Sequence, residues 1–189
     1  MEYLCNFKQT FINCIKTNMG MKSKTAASSL SITTDLVLPS DTNALSAMFG
    51  GELLARMDRI CCIAAERHSG HIAVTVSVNH VVFTNPVPIG STVTIEAKVS
   101  RAFGSSMEIY ADVWIEDRVS RERIKVNEGI YTFVALDKDR NKVKVPQLLP
   151  ETPLEKERYI AALRRRQLSL VLSGKLEAKE ASELRSIFM

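Results

Sequence analysis

The sequence predicts an α+β domain in which an antiparallel sheet wraps around one central helix. One long helical segment occupies the middle of the chain, four segments of alternating polarity follow it, and short polar connections separate those four. Parallel strands would need a crossover of a dozen residues or more between neighbours, and the connections after the helix are too short for that, so the natural arrangement is an antiparallel meander. The chain's 189 residues, with 46% hydrophobic and 24% charged, suit one compact globular domain with tails. Collagen-like, disordered and disulfide-scaffold classes are excluded by the same composition.

From Ser28 to Leu38 the chain is rich in β-branched and apolar residues and meets Pro39, which reads as a first strand. PSDTNALSAMFGG follows as a loop. GGELLARMDRICCIAAERHSG, from Gly50 to Gly70, is the helix, ending at a glycine where a stop is expected. Residues 72–84 alternate, NPVPIG (85–90) is turn chemistry, and residues 91–103, 104–117 and 122–137 supply three further strands. After Pro150 the composition turns to helix formers interrupted by Ser173-Gly174, which predicts helices over about 153–171 and 175–187. The expected organisation is an N-terminal extension (1–24), a central domain (25–150) and a C-terminal helical extension (151–189).

The formal charge of +4 divides unevenly: residues 1–24 carry +3, residues 25–150 carry 13 Lys/Arg against 14 Asp/Glu, and residues 151–189 carry +2. A central domain near neutrality argues against nucleic-acid binding. Arg164, Arg165 and Arg166 read as a solvated helix face, with a phosphate-contacting patch as the alternative. Cys5, Cys14, Cys61 and Cys62 match no metal spacing and point to reduced thiols in a reducing, cytoplasmic compartment. No apolar run is long enough for a membrane span. The first twenty residues lack the apolar core of a secretory signal, so they read as a dispensable extension, with Met19 and Met21 as alternative starts and a basic organelle leader as the other reading.

Stepping about 100° per residue sorts the helix into two faces. Glu52, Arg56, Arg59, Glu66 and Arg67 fall on one, with Ile63 as an exception, and Leu53, Leu54, Met57, Ile60, Cys61, Ala64 and Ala65 fall on the other. Asp58 breaks the sort. It lies one turn beyond Leu54 and one turn before Cys61 and Cys62, inside the apolar stripe, and is expected to be at least partly buried. Removing an unpaired carboxylate from water costs on the order of several kcal/mol, so such a group is paired, shifted in pKa or catalytic. It is either a structural salt bridge or cap, or a general base or nucleophile facing a cleft. Gly50 and Gly51 allow close approach to the backbone, and first-turn N–H groups suit a developing oxyanion. Asn43 either donates a side-chain hydrogen bond to a carbonyl or supports its own turn. GxSxG, P-loop and dinucleotide motifs are absent; His68 and His71 read as surface residues beside the helix end, and His80 as an interruption of a strand.

LPSDTNALSAMFGGELLARMD, VTVSVNHVVFTNPVPIGSTV, AFGSSMEIYADVWIE and GIYTFVALD, in this order over about residues 30–140, resemble the hotdog-fold acyl-CoA thioesterases of the bacterial and brain acyl-CoA hydrolase type. The resemblance implies a hotdog fold, hydrolysis of acyl-CoA to a free acid and CoA, and homodimers sharing their active sites, assembled as trimers of dimers. It implies catalytic roles for Asn43 and Asp58, fifteen residues apart, with Asp58 acting on water or attacking directly through an anhydride and Asn43 reaching in from the partner. Gly50 and Gly51 would hold the oxyanion. Thr75, Arg101, Gly104, Ser105 and Ser106 become candidate CoA contacts, with CoA entering as substrate and product, and no metal or bound cofactor is expected. Ser46 departs from the glycine often found there. A non-catalytic acyl-CoA sensor is the alternative function; a hotdog dehydratase would be expected to carry a catalytic His in a cleft motif, and none is apparent.

Overall fold

In the computed structural model, which describes residues 22–116 and 120–186, the chain runs β1 (Lys24–Thr25), β2 (Ser31–Leu36), α1 (Gly50–Ser69), β3 (Ile72–Phe83), β4 (Thr92–Phe103), β5 (Ser106–Glu116), β6 (Arg123–Leu136), β7 (Leu148–Leu149), α2 (Pro153–Leu172) and α3 (Ser182–Arg185). Cys5, Cys14, Met19 and Met21 lie outside the described residues, as does most of the predicted N-terminal extension. Lys24 and Thr25 already belong to the fold, pairing in parallel with Leu148 and Leu149.

The main sheet is antiparallel throughout, in the order β2-β4-β5-β6-β3. This differs from the expected meander: β3 pairs with β6 at one edge and does not neighbour β4. The strands that precede and follow α1 thereby occupy opposite edges, and the helix joining them crosses the whole inner face. Leu53, Met57, Ile60, Cys61, Ala64 and Ala65 of α1 bury against Val93, Ile95, Ala97 and Val99 of β4, Met107, Ile109, Ala111 and Val113 of β5, and Phe133 and Ala135 of β6. Gly129 lets the Met57 side chain approach β6 closely, because a Cβ there would stand 2.7 Å from Met57 Cε. Gly70 ends α1 at φ +73°, a left-handed cap that glycine adopts without steric cost.

α2 packs on the outer face of the sheet over β4 and β5. Thr152 and Glu155 form a reciprocal capping box with Pro153 in the first turn, which starts the helix firmly. Arg158 grips Asp112 with two contacts of 2.8 and 2.9 Å, and Arg165 grips Glu108 at 2.9 and 2.8 Å. The arginine run is therefore no solvated face: Arg165 is committed to a carboxylate that is 5% exposed, and Arg166 stacks on Phe103 at 4.6 Å. The second predicted C-terminal helix shrinks to the single turn of α3, after Gly174 leaves the helix at φ +67°. His68 is also not a surface residue. It is fully buried, with Nε2 2.8 Å from the Pro146 carbonyl, because the segment leading to β7 folds over the helix end.

Candidate active site

Asp58 projects from the second turn pair of α1 toward β3 and is half-buried. It is not a salt bridge: Thr75 Oγ1 donates to its Oδ1 at 2.7 Å, and no cation pairs with it among the described residues. Its second oxygen is left without a hydrogen bond there. Burial first, and then the Asp58 charge, holds the Cys61 thiol well above its ordinary value; Cys62 and Tyr131 are raised as well, chiefly by burial. Both thiols stay protonated beside this carboxylate and make poor nucleophiles.

Asn43 shapes the loop in which it sits. Its Oδ1 accepts from the backbone N–H of Leu45 at 2.9 Å and of Ala47 at 3.4 Å. The turn and donor readings are thus compatible: the carbonyl end of the amide holds the turn, and Nδ2, without a partner among the described residues, is left to donate. Met48 N–H bonds Val87 O and Phe49 N–H bonds Asp41 O, each at 2.8 Å, so the loop is pinned on both sides. Ser46 sits at φ +56°, the conformation a glycine would take without strain.

A brace joins this loop to α1. Arg56 donates from Nη2 to Asp41 Oδ2 at 2.9 Å and from Nε to Glu52 Oε1 at 3.0 Å. The Leu38 N–H, joined by Arg56 and opposed by partial burial, holds the Asp41 carboxyl below its ordinary range. Asp41 stands two residues before Asn43 and Arg56 two before Asp58, so one ion pair sets the loop against the helix. Nothing in the linear sequence marks this pair beyond that spacing.

Gly50 and Gly51 open α1 behind Phe49, which provides no side-chain cap. Their N–H groups are the unpaired donors of a helix N-terminus. At Gly50 an added Cβ would meet the Phe83 ring at 3.2 Å, whereas nothing lies within 4 Å of one at Gly51.

The remaining predicted residues gather elsewhere. Gly104, at φ +63°, makes the β4–β5 turn, and its carbonyl accepts from Val145 N–H at 2.8 Å. Ser105 O accepts from Ala135 N–H at 3.0 Å, and Ser106 Oγ accepts from Arg166 at 3.0 Å. Arg101 stacks on Tyr159 at 4.0 Å and donates to its carbonyl at 2.9 Å. Ser106 is in register with Val134 and so with Val74. This cluster therefore occupies the same end of the sheet as Thr75, two strands away, about 10 Å by strand spacing. Thr75 itself, which the resemblance grouped with CoA contacts, has its hydroxyl on Asp58.

Residues 45–121 match the family model described as Thioesterase superfamily. "Acyl-coenzyme A thioesterase 11" of Mus musculus is 39% identical over 142 residues, which are 75% of this chain and 24% of that protein, so the chain spans about a quarter of that relative's length. A solved acyl-CoA hydrolase from Staphylococcus aureus, in complex with butyryl-CoA, CoA and CoA disulfide, is 34% identical with a TM-score of 0.76, covering 81% of this chain and 95% of that one. Further structures of that hydrolase carry an Asn→Ala, an Asp→Ala and a Thr→Ala substitution. A solved apo-hexameric acyl-CoA thioesterase is 35% identical with a TM-score of 0.75, covering 78% of this chain and 94% of that one. With the same helix-in-sheet architecture and this identity over almost the whole of a solved relative, the chain belongs to the hotdog-fold acyl-CoA thioesterase family.

Proposed function

We propose that the protein hydrolyses acyl-CoA thioesters to free acid and CoA, with Asp58 as general base. The observation that carries this is the Asp58 carboxylate, half-buried on an apolar helix face, held at one oxygen by Thr75 and without a hydrogen bond at the other among the described residues. The three positions substituted in the Staphylococcus aureus hydrolase are separated by fifteen and seventeen residues, the separations of Asn43, Asp58 and Thr75 in this chain.

Asp58 Oδ2 takes a proton from water as the oxygen adds to the thioester carbonyl. The tetrahedral oxyanion is held by the Gly50 and Gly51 N–H groups and the Asn43 amide. Collapse breaks the C–S bond, and the proton on Asp58 passes to the leaving thiolate. One protomer is not enough for this. Gly50 and Asp58 are eight residues apart on α1, about 12 Å at 1.5 Å per residue, whereas the reacting carbon must lie roughly 3 Å from both groups. Asp58 and Thr75 of one protomer therefore work with the Asn43 loop and helix N-terminus of the other.

Self-association along β3 fits this requirement. The strand is an edge of the sheet, twelve residues long, with Ile72, Val74, Val76, Val78 and Phe83 exposed, and such an edge is a template for pairing. It also carries Thr75, so a second copy there borders Asp58. Trimers of such dimers are the proposed assembly. For CoA we assign Arg101, Gly104, Ser105, Ser106 and Arg166. Burial lowers the Arg166 pKa and no carboxylate among the described residues offsets it, so a phosphate would relieve that cost.

Thiol release from butyryl-, hexanoyl- and palmitoyl-CoA tests the reading. Turnover is expected in the wild type and a loss of at least about a hundredfold in Asp58→Ala. Tight CoA binding without turnover would make the protein a sensor. An acyl adduct on the Asp58 peptide in rapid-quench mass spectrometry would replace the general base by the anhydride route.

A further inference from the structure

Asn127 is 1% exposed, and neither its Oδ1 nor its Nδ2 has a hydrogen-bond partner among the described residues. It lies on β6 opposite Val113 of β5 and Phe83 of β3, and shares their face of the sheet. Val113 is fully buried in the core, so this is the inner face, toward α1. A buried amide with both ends unmatched loses its hydrogen bonds to water and gains nothing in return, so an apolar residue of similar size would be the more stable choice. The amide is explained if something polar reaches it during the protein's work.

Its position suggests what. Phe83, the register partner of Asn127, lies with its ring against Gly50, in the first turn of α1. Asn127 thus stands one side chain behind the N–H groups assigned to the thioester oxygen, and Phe83, 53% exposed, separates it from the surface. We infer that Asn127 is a specificity-determining residue behind the N-terminus of α1, hydrogen-bonding a hydroxyl or oxo group on a short acyl chain. The inference rests on the proposed thioesterase reading and narrows its substrate to polar-substituted short acyl-CoAs.

The test compares kcat/KM for butyryl-CoA and 3-hydroxybutyryl-CoA in the wild type, Asn127→Leu and Asn127→Ala. The ratio of hydroxylated to plain substrate is expected to fall about tenfold or more in both variants, with butyryl-CoA turnover held within a few-fold or improved. Equal changes on the two substrates, or none, would overturn the inference while leaving thioesterase activity standing. A wild type that hydrolyses hexanoyl- or palmitoyl-CoA but neither C4 substrate overturns the inference alone; one that hydrolyses none of them overturns the functional reading, and the inference with it.

Discussion

Thr75 Oγ1 lies 2.7 Å from Asp58 Oδ1, joining the edge strand to the only acidic residue on the apolar stripe of α1. A hydroxyl donating to a carboxylate fixes the plane of that carboxylate and leaves the other oxygen for water. Hydrogen bonds to charged groups are worth about 1.5–3 kcal/mol, or roughly 10- to 100-fold in rate. Thr75→Ala is therefore expected to lower kcat by about tenfold or more with KM little changed, while Thr75→Ser keeps most activity. A rise in KM at constant kcat would instead return Thr75 to CoA contact.

Ser46 holds φ +56° in the loop that carries Asn43, and its N–H bonds Asn43 O at 3.0 Å. An L residue in this region costs about 1–2 kcal/mol, partly offset by the greater unfolded-state freedom of glycine. Ser46→Gly should therefore stabilise by roughly 0.5–1 kcal/mol and raise Tm by roughly 1–4 °C. Thermal unfolding checks the shift, and kcat should stay level because the two bonds to Asn43 Oδ1 are untouched.

Much of the fold and part of the site were legible in the sequence, for identifiable reasons. The two faces of α1 are set by local periodicity, and Asp58 stood out as the polar breach of one of them. Strand neighbours are not local: alternation in residues 72–84 marks a strand but not its pairing with β6. Glu108 and Asp112 alternate with apolar residues on β5, and only the docking of α2 buries them against Arg165 and Arg158. The Asp58–Thr75 bond spans seventeen residues across a turn, and no spacing rule announces it. Asn127 sits inside an ordinary strand pattern, and its lack of partners among the described residues exists only in three dimensions.

Burial, joined by the nearby Lys24 charge and partly opposed by the Pro146 carbonyl, lowers the His68 pKa below 6.5. The folded state then binds fewer protons than the unfolded chain between the lowered value and 6.5, so stability rises with pH through that interval. His68 contributes its full stability above pH 6.5 and loses it as pH falls below. Asp112, Glu128 and Glu155, whose pKa values are lowered from 3.8, 4.5 and 4.5, lose theirs only in more acid solution. Urea unfolding from pH 7.5 to 5 should show a decline that flattens in His68→Gln, which keeps an N–H for Pro146. An unchanged slope in that variant would mean another group titrates.

Sharing of the site between protomers makes a quantitative prediction. If Asp58 of one protomer works with Asn43 of the other, Asp58→Ala and Asn43→Ala homo-oligomers are each nearly inactive, yet a mixed pair contains one intact site. That site takes Asp58 from the Asn43→Ala chain and Asn43 from the Asp58→Ala chain; the second site has lost both. Random pairing after denaturation and refolding of an equal mixture makes about half the pairs mixed, each with one of two sites working, so activity should return to roughly a quarter of wild type. Unmixed controls refolded alone should stay inactive. Were Asn43 and Asp58 to act within one protomer, every chain in the mixture would lack one of them and no activity would return. Adding Val74→Lys to both chains places a charge on the apolar edge of β3; it should abolish the complementation and, by light scattering, the association that permits it.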